Sequence, residues 1–476
     1  MKRTAAVLAV FAVLSACADS HPVTPNALRA RGHATILTGD VLVTNSNDAG
    51  SGSFRDAIAQ ASSDASIASI AFLPGVGTIR LQSSVTYTGT QDLSINGNHA
   101  TLDASAAGGS AFVANSTGGD LELSGLTVHA AAGAGVQVNV LPAATGVVRI
   151  VLMDVDITDN AGHGFLVNDQ TDPLSLDANG SDASVDVEIA GSRFLRNGFS
   201  ASDRDGIRIN EGGAGDLTFA IRNSVADGNA ADGIELDERG GGNVVIDVFR
   251  ARVTRNGIFD PEDLDDGFDI DEAGDGSILG QIVSSSANHN FEEGLDINEN
   301  DAGDLRVDLV DVDASYNREE GIDCEEDDDV AGGGDLVTVM DGVRTIGNGA
   351  DGGDGGLKIR EKGAGDLDVS LANVIASQNL MAGVHLRETE AGDARVRITK
   401  AVTNTNAADS GPGDGIEIRE GSSGSITLAE LTDITTSGNA RFGVSAENGT
   451  VILYNVKGGG NASGLTGGGA TFVVLP

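Results

Sequence analysis

The stretch GLDINENDAGDLRVDLVDVDASYNREEG runs from Gly294 to Gly321, and most of the chain is a variation on it. Apolar residues fill the first and third places after the glycine (Leu295, Ile297), and polar ones fill the second and fourth (Asp296, Asn298). That alternation has period 2, which makes a short strand with one buried face. An acid, Glu299, takes the fifth place, and a turn ends at Gly303-Asp304. A second alternating run follows, with Leu305, Val307 and Leu309 on one side, and Asn317 lies four residues before the next glycine.

The pattern returns after Gly164, Gly206, Gly233, Gly267, Gly294, Gly321, Gly356, Gly383, Gly415 and Gly443, with a weaker copy at Gly135. An asparagine precedes each: Asn160, Asn197, Asn229, Asn256, Asn290, Asn317, Asn348, Asn379, Asn406 and Asn439. Where no insertion intervenes the period is about 27 residues, in the range that marks a solenoid. Short strands with no room for a ten-residue helix make it a β-solenoid. One coil cannot bury its own apolar face, so coils must stack about 4.8 Å apart. The ten asparagines then form a structural ladder.

These repeats resemble the right-handed parallel β-helix superfamily, which includes pectate lyases, polygalacturonases and many bacterial surface proteins. An inward asparagine ladder at a turn is typical of that family. The segments VTNSNDAGSGSFRDAIAQA (43–61), TIRL (78–81) and LSINGNHATLD (93–103) resemble the entry region of bacterial β-helix surface proteins. The resemblance implies an all-β fold: one single-stranded right-handed parallel β-helix of ~27-residue coils. It does not imply one activity, because the superfamily mixes enzymes with binding proteins. At the N-terminal end, Ser53 has the look of a helix N-cap, with Phe54, Ala57, Ile58 and Ala61 at helical spacing. A short capping helix over 53–62 would cover the open end of the solenoid, which otherwise exposes strand edges and core.

Lys2 and Arg3 precede an apolar run from Ala5 to Leu14, followed by small residues. This is the layout of a secretory signal, and the run is too short to span a bilayer. Leu14-Ser15-Ala16-Cys17 resembles a bacterial lipobox. That resemblance implies lipidation of Cys17 as the mature first residue. Ala18 stands where an inner-membrane retention aspartate would sit, which implies an outer-membrane lipoprotein at the cell surface or periplasmic face. The expected organisation is a signal peptide over 1–16, a lipid-anchored flexible tether over 17–34, a cap with irregular first coils over 35–130, and regular coils with a closing strand over 131–476. The other cysteine, Cys324, falls on an inward place and reads as a small buried hydrophobe.

The formal net charge is −42 in 476 residues, with only five lysines. Such a surface repels nucleic acid and anionic lipid, so no nucleic-acid partner is expected and the membrane is reached only through the lipid anchor. It suits cations, cationic partners or a high-salt habitat. The outward second and fourth places of successive coils read Glu235/Asp237, Asp269/Asp271, Asp296/Asn298 and Asp323/Glu325, then turn basic at Lys358/Arg360. Two unit charges at coil spacing repel by roughly 0.9 kcal/mol even in water. A column of carboxylates therefore invites counterions, and Ca²⁺, which takes six to eight oxygens in flexible geometry, is the expected cofactor if there is one. The expected metal ligands are Glu235, Asp237, Asp269, Asp271, Asp296, Asp323 and Glu325. The fifth-place acids, Glu211, Glu238, Glu272, Glu299, Glu326, Glu361, Glu388 and Glu420, read as caps for the turn amides that follow them.

Two further resemblances bear on catalysis. Gly162-His163-Gly164 resembles a polygalacturonase motif, but that family's carboxylates are not found in the expected order. Phe259-Asp260-Pro261-Glu262-Asp263 resembles the catalytic segment of alginate epimerases, which has histidine where this chain has Glu262 and a nearby tyrosine that is lacking here. A calcium-dependent polysaccharide lyase would pair carboxylate-held Ca²⁺ with an Arg or Lys base. The border between Asp323/Glu325 and Lys358/Arg360 offers those types, so Lys358, Arg360 and Asp260 are the candidate catalytic residues of an enzyme. The repetitive surface, the lack of tryptophan and the presence of only Tyr87, Tyr316 and Tyr454 point the other way. The sequence thus favours a non-catalytic, envelope-anchored binding or structural protein, with a polysaccharide or another surface protein as partner.

Overall fold

The computed structural model describes residues 39–170, 179–259, 265–327, 333–350, 352–353, 355–407, 413–421 and 424–475. Cys17 and Asp260, and with them the anchor and the epimerase-like segment, lie outside the described residues.

The strand after each repeat glycine joins one sheet, the first face. Fourteen strands pair there in chain order, from Val85–Tyr87 to Gly464–Gly468. The register keeps the repeat in phase, so Ile234, Phe268, Leu295, Ile322 and Leu357 are successive partners. The second face stacks the other long strand of each coil, such as Val244–Phe249, Ile278–Val283 and Leu305–Val310. A third face stacks three-residue strands, such as Val225–Asp227, Arg252–Thr254 and Ser286–Asn288. All these pairings are parallel, and the chain is a parallel β-helix. No helix among the described residues is long and apolar enough to cross a membrane.

The core is a column of the first- and third-place residues. Ile207/Ile209, Ile234/Leu236, Phe268/Ile270, Leu295/Ile297 and Ile322/Cys324 are all buried. Cys324 is a free thiol there, and burial pushes its pKa well up. The N-terminal end is closed by a helix over Phe54–Ser63, whose Ser53 Oγ accepts the Asp56 N–H at 3.2 Å. Its Phe54 ring packs 5.2 Å from Phe72 and 6.1 Å from Phe112, which joins the helix to the first coils.

The asparagine before each repeat glycine points inward and bonds to the next coil. Asn317 donates its backbone N–H to Asn348 Oδ1 at 2.8 Å and its Nδ2 to the Ala287 carbonyl at 3.0 Å. Its own Oδ1 accepts from Asn290 N–H at 2.9 Å. The chain of bonds runs unbroken from Asn160 to Asn439 and adds one member that lies outside the sequence pattern, Asn461. The residue before the asparagine is left-handed in coil after coil, including bulky ones such as Arg255, His289 and Tyr316. A left-handed backbone is unfavourable for such residues, so the bonds made by the next residue must outweigh it. The repeat glycines have a different reason to exist. Their backbone is ordinary, but the space a side chain would need is taken by the neighbouring ladder asparagine. A Cβ on Gly321 would sit 2.6 Å from Asn348 Nδ2 and 2.5 Å from the Ala314 carbonyl oxygen.

Two substitutions separate these roles. Asn317→Ala should strand buried polar groups and cost about 1–3 kcal/mol. Gly321→Ala should cost about as much through overpacking while removing no ladder group. Thermal melts of both variants, with amide exchange at Asn290 and Asn348, test this. Unchanged protection around Asn317→Ala would mean that the ladder carries no stability.

Candidate functional site: an acidic trough on the first face

The acids at the site come from two columns. One is the second place after the glycine, Glu235, Asp269, Asp296 and Asp323. The other is the residue just before the glycine, Asp205, Asp232, Asp266, Glu293 and Glu320. Stacking fixes the second column. Asp205 accepts the backbone N–H of Asp232 at 3.2 Å, Asp232 that of Asp266 at 2.5 Å, and Asp266 that of Glu293 at 2.6 Å. One oxygen of each is thus tied to the scaffold. Carboxylate oxygens of Asp232, Glu235 and Asp269 come within 4.8 Å of one another, as do those of Asp266, Asp269 and Asp296, and those of Glu293, Glu320 and Asp323. Asp269 belongs to two of these groups, so the clusters run together along the helix axis.

Burial and mutual repulsion raise the pKa values. Desolvation first, then neighbouring carboxylates, hold Asp266 and Asp269 well above the usual aspartate range. The same causes take Asp296 to about 7 and Glu293 to about 10. None of the described arginines or lysines forms an ion pair with Asp232, Asp266, Asp269 or Asp296. Arg208 stands at one end and Lys358 at the other. Arg208 holds Glu235 at 2.5 Å and Asp237 at 2.9 Å, and Lys358 holds Asp323 at 2.7 Å. Asp323 still has its other oxygen, Oδ1, buried and without a hydrogen-bond partner. In later coils the same columns carry Asp414 and Glu417, and there Arg441 reaches both.

The seven expected metal ligands fall in two different surroundings. Glu235, Asp269, Asp296 and Asp323 line the trough, but the fourth-place acids do not complete its clusters. Asp237 is paired with Arg208 and Arg239, Asp271 faces Arg239 at 3.3 Å, and Glu325 pairs with Lys358 and Arg360. The pre-glycine acids take their place. Their signal was in the sequence, as Asp or Glu before five successive repeat glycines, but it lies outside the strand alternation. The candidate bases are also ion-paired. Lys358 lies between Asp323 and Glu325, which hold its pKa up despite its burial, and Arg360 is bound to Glu325. A base must be neutral to accept a proton, and this geometry favours the charged ammonium. His163 occupies the pre-glycine column one coil before Asp205. Its Nδ1 accepts the Asp205 N–H at 3.1 Å, so it serves as a rung of the stack.

The fifth-place glutamates form a separate column, completely shielded from solvent for most of its length. From Glu211 to Glu388 each caps its own turn. Glu238 accepts the Gly242 N–H at 3.2 Å, Glu272 the Gly276 N–H at 3.2 Å, and Glu361 the Gly365 N–H at 3.1 Å. The second oxygens of these three meet no N–H donor among the described residues and face glutamates of adjoining coils. Two carboxyl oxygens in contact are a hydrogen bond only if one carries a proton. Burial, with the neighbouring glutamates, takes Glu211 to about 10, Glu272 to about 11, Glu326 to about 9 and Glu361 to about 8.

No protein-family model matches the chain, and no curated protein matches it in sequence. Solved structures similar in winding include the following three. The pectate lyase Pel9A is 14% identical, with 71% of this chain and 79% of that one covered and a TM-score of 0.42. The catalytic domain of a GH87 α-1,3-glucanase, solved with nigerose, is 12% identical over 91% of this chain and 68% of that one, at a TM-score of 0.36. The A-module of the Azotobacter vinelandii mannuronan C-5 epimerase AlgE6 is 12% identical over 92% and 100%, at 0.31. At such identities the likeness concerns the fold alone.

The glutamate column makes stability depend on pH. Its folded pKa values lie above the ordinary 4.5, so the folded chain keeps protons that the unfolded chain has released. The stability from this source is full below about pH 4.5 and is lost as pH rises through about 8–11. The melting temperature should therefore fall from pH 5 to pH 10. Glu272→Gln, which keeps an acceptor for Gly276, should lower the proton release on unfolding at neutral-to-alkaline pH by about one. A melting temperature that rises over this interval would show the column to be ionised.

Proposed function

We propose that this chain is a non-catalytic binding scaffold of the bacterial envelope, whose acidic trough holds divalent cations of the Ca²⁺ type. The observation that carries this reading is the pair of clusters that share Asp269, with no described arginine or lysine paired to Asp232, Asp266, Asp269 or Asp296. Carboxylate oxygens fixed on a rigid sheet are hard ligands, and water can fill the rest of a six- to eight-oxygen shell. A bound cation relieves the repulsion that otherwise raises these pKa values, so it competes with protons for the same oxygens. Cations with open positions can in turn bridge to an anionic polysaccharide or an acidic surface protein. The lipobox-like Leu14-Ser15-Ala16-Cys17 supports attachment at the outer membrane through Cys17. The lyase or epimerase reading is weaker because Lys358 and Arg360 are each paired with carboxylates.

Two experiments test the proposal. Ca²⁺ should raise the melting temperature more than Na⁺ at matched ionic strength, by the equivalent of about 2.7 kcal/mol at a hundredfold excess over Kd. Asp269→Asn with Asp296→Asn should abolish that difference, and equal effects of the two salts in the wild type would refute the cation site. Separately, Cys17→Ser should release the protein from membranes in a fractionation experiment. A wild-type protein found soluble and unlipidated would refute the anchor.

A further inference from the structure

We propose a second binding site, for uncharged glycan chains, at the turn edge of the solenoid beside the asparagine ladder. It is independent of the trough. A groove of about 860 Å³ opens there, lined by Phe199, Ile258 and Phe291 together with Asp159, Arg196, Asp227, Gly228 and Arg255. That volume is in the range of small-ligand clefts, about 300–1,000 Å³.

Broken periodicity builds the groove. Phe199 lies in the insertion after Gly198, and Ile258 and Phe259 lie in the insertion after Gly257. The coil between them has no insertion and carries only Ala230 at this turn. Phe199 and Phe259 meet over it: Phe259 donates its N–H to the Ala230 carbonyl at 2.9 Å, and the Phe199 and Phe259 rings meet edge to face at 6.2 Å. Phe199, Ile258 and Phe259 are 43%, 41% and 38% exposed, in a chain that otherwise encloses most of its large apolar side chains. Exposed apolar residues that cluster in this way mark a binding surface. A glycine opens the floor. The left-handed place before each ladder asparagine holds Asp159, Arg196 and Arg255 in nearby coils, but Gly228 between Arg196 and Arg255. A Cβ on Gly228 would find only Arg196 Cγ within 4 Å, at 3.8 Å.

The rim decides the ligand class. Arg196 binds Asp159 through two bonds of 2.7 and 2.8 Å, and Arg255 donates Nε to Asp227 at 3.0 Å with Nη2 on the same carboxylate. Both guanidinium groups are thus neutralised where they stand. The four charged residues of the lining are two cations and two anions, in contrast to the trough, and the Arg318 guanidinium lies 5.3 Å from the Phe291 ring. The groove offers flat apolar faces beside fixed donors and acceptors. A pyranose ring has the matching surfaces, with C–H faces for the phenyl rings and hydroxyls for the Asp/Arg rim. The absence of tryptophan argued against a neutral-sugar enzyme; phenylalanines supply the stacking faces here for binding alone.

The test is calorimetric titration of the full chain with three neutral hexasaccharides, of β-1,4-, β-1,3- and α-1,4-linked glucose, and with hexagalacturonate as the charged probe. At least one neutral hexamer should bind, with affinity unaffected by EDTA or by Asp269→Asn with Asp296→Asn. Phe199→Ala, an exposed position, should weaken binding at least tenfold. Gly228→Asn, a side chain that tolerates the left-handed backbone, should block the floor and do the same. Failure of all three neutral probes would overturn the proposal. So would binding that survives both groove variants, or binding confined to hexagalacturonate. A concentration-dependent dimer in sedimentation that Phe199→Ala abolishes would assign the face to self-association instead.

Discussion

Every part of this molecule answers to one constraint: a side chain in a stacked coil meets its counterpart about 4.8 Å above and below. For an amide that meeting is favourable. Asparagine carries both a donor and an acceptor, so Asn229, Asn256 and Asn290 can each give to one neighbour and take from another. The ladder also dictates the repeat glycine that follows each asparagine, because the amide of the adjoining coil's asparagine occupies the volume where a Cβ would go. The most regular sequence signal in the chain is thus two halves of one packing relation.

For a carboxylate the same meeting is unfavourable, and the chain resolves it in three ways. The fifth-place glutamates are shut away from water and capped by turn amides, and burial with the neighbouring glutamates raises the pKa values of Glu211, Glu272, Glu326 and Glu361. The fourth-place acids are paired across coils with arginine or lysine, as Asp237 is with Arg208 and Arg239. Asp232, Asp266, Asp269 and Asp296 are paired with no described arginine or lysine, and burial with mutual repulsion raises their pKa values instead. That stretch is where an external cation has most to offer. The raised pKa values in the glutamate column act to lower the charge of the folded chain below its formal −42.

Repetition and its interruption give the two candidate sites opposite characters. The trough exists because a pattern is repeated faithfully, so its ligands form a periodic line with Asp269 shared between clusters. The groove exists because two coils carry insertions and the one between does not, so its residues occur once. The first arrangement suits small ions at regular spacing, and the second suits one shaped ligand.

The sequence by itself determined the winding. A period-2 alternation after each glycine, an asparagine at a fixed offset and a period near 27 residues leave a stacked parallel solenoid as the one arrangement that buries every apolar row. Ser53 and the spacing of Phe54, Ala57, Ile58 and Ala61 likewise marked the capping helix, because caps and helical faces are local properties. What the tertiary structure alone decided is which acids share a cluster and which are neutralised. Strand alternation says that Asp237 and Asp269 both point away from the core. It does not say that Arg208 and Arg239 reach back to the first and not to the second, since those contacts depend on long side chains crossing between coils. Nor could it show that Asp232 and Asp266 turn into the trough, because the pre-glycine position belongs to a turn, where direction is set by the cross-coil bond to the next backbone N–H and not by the alternation of a strand.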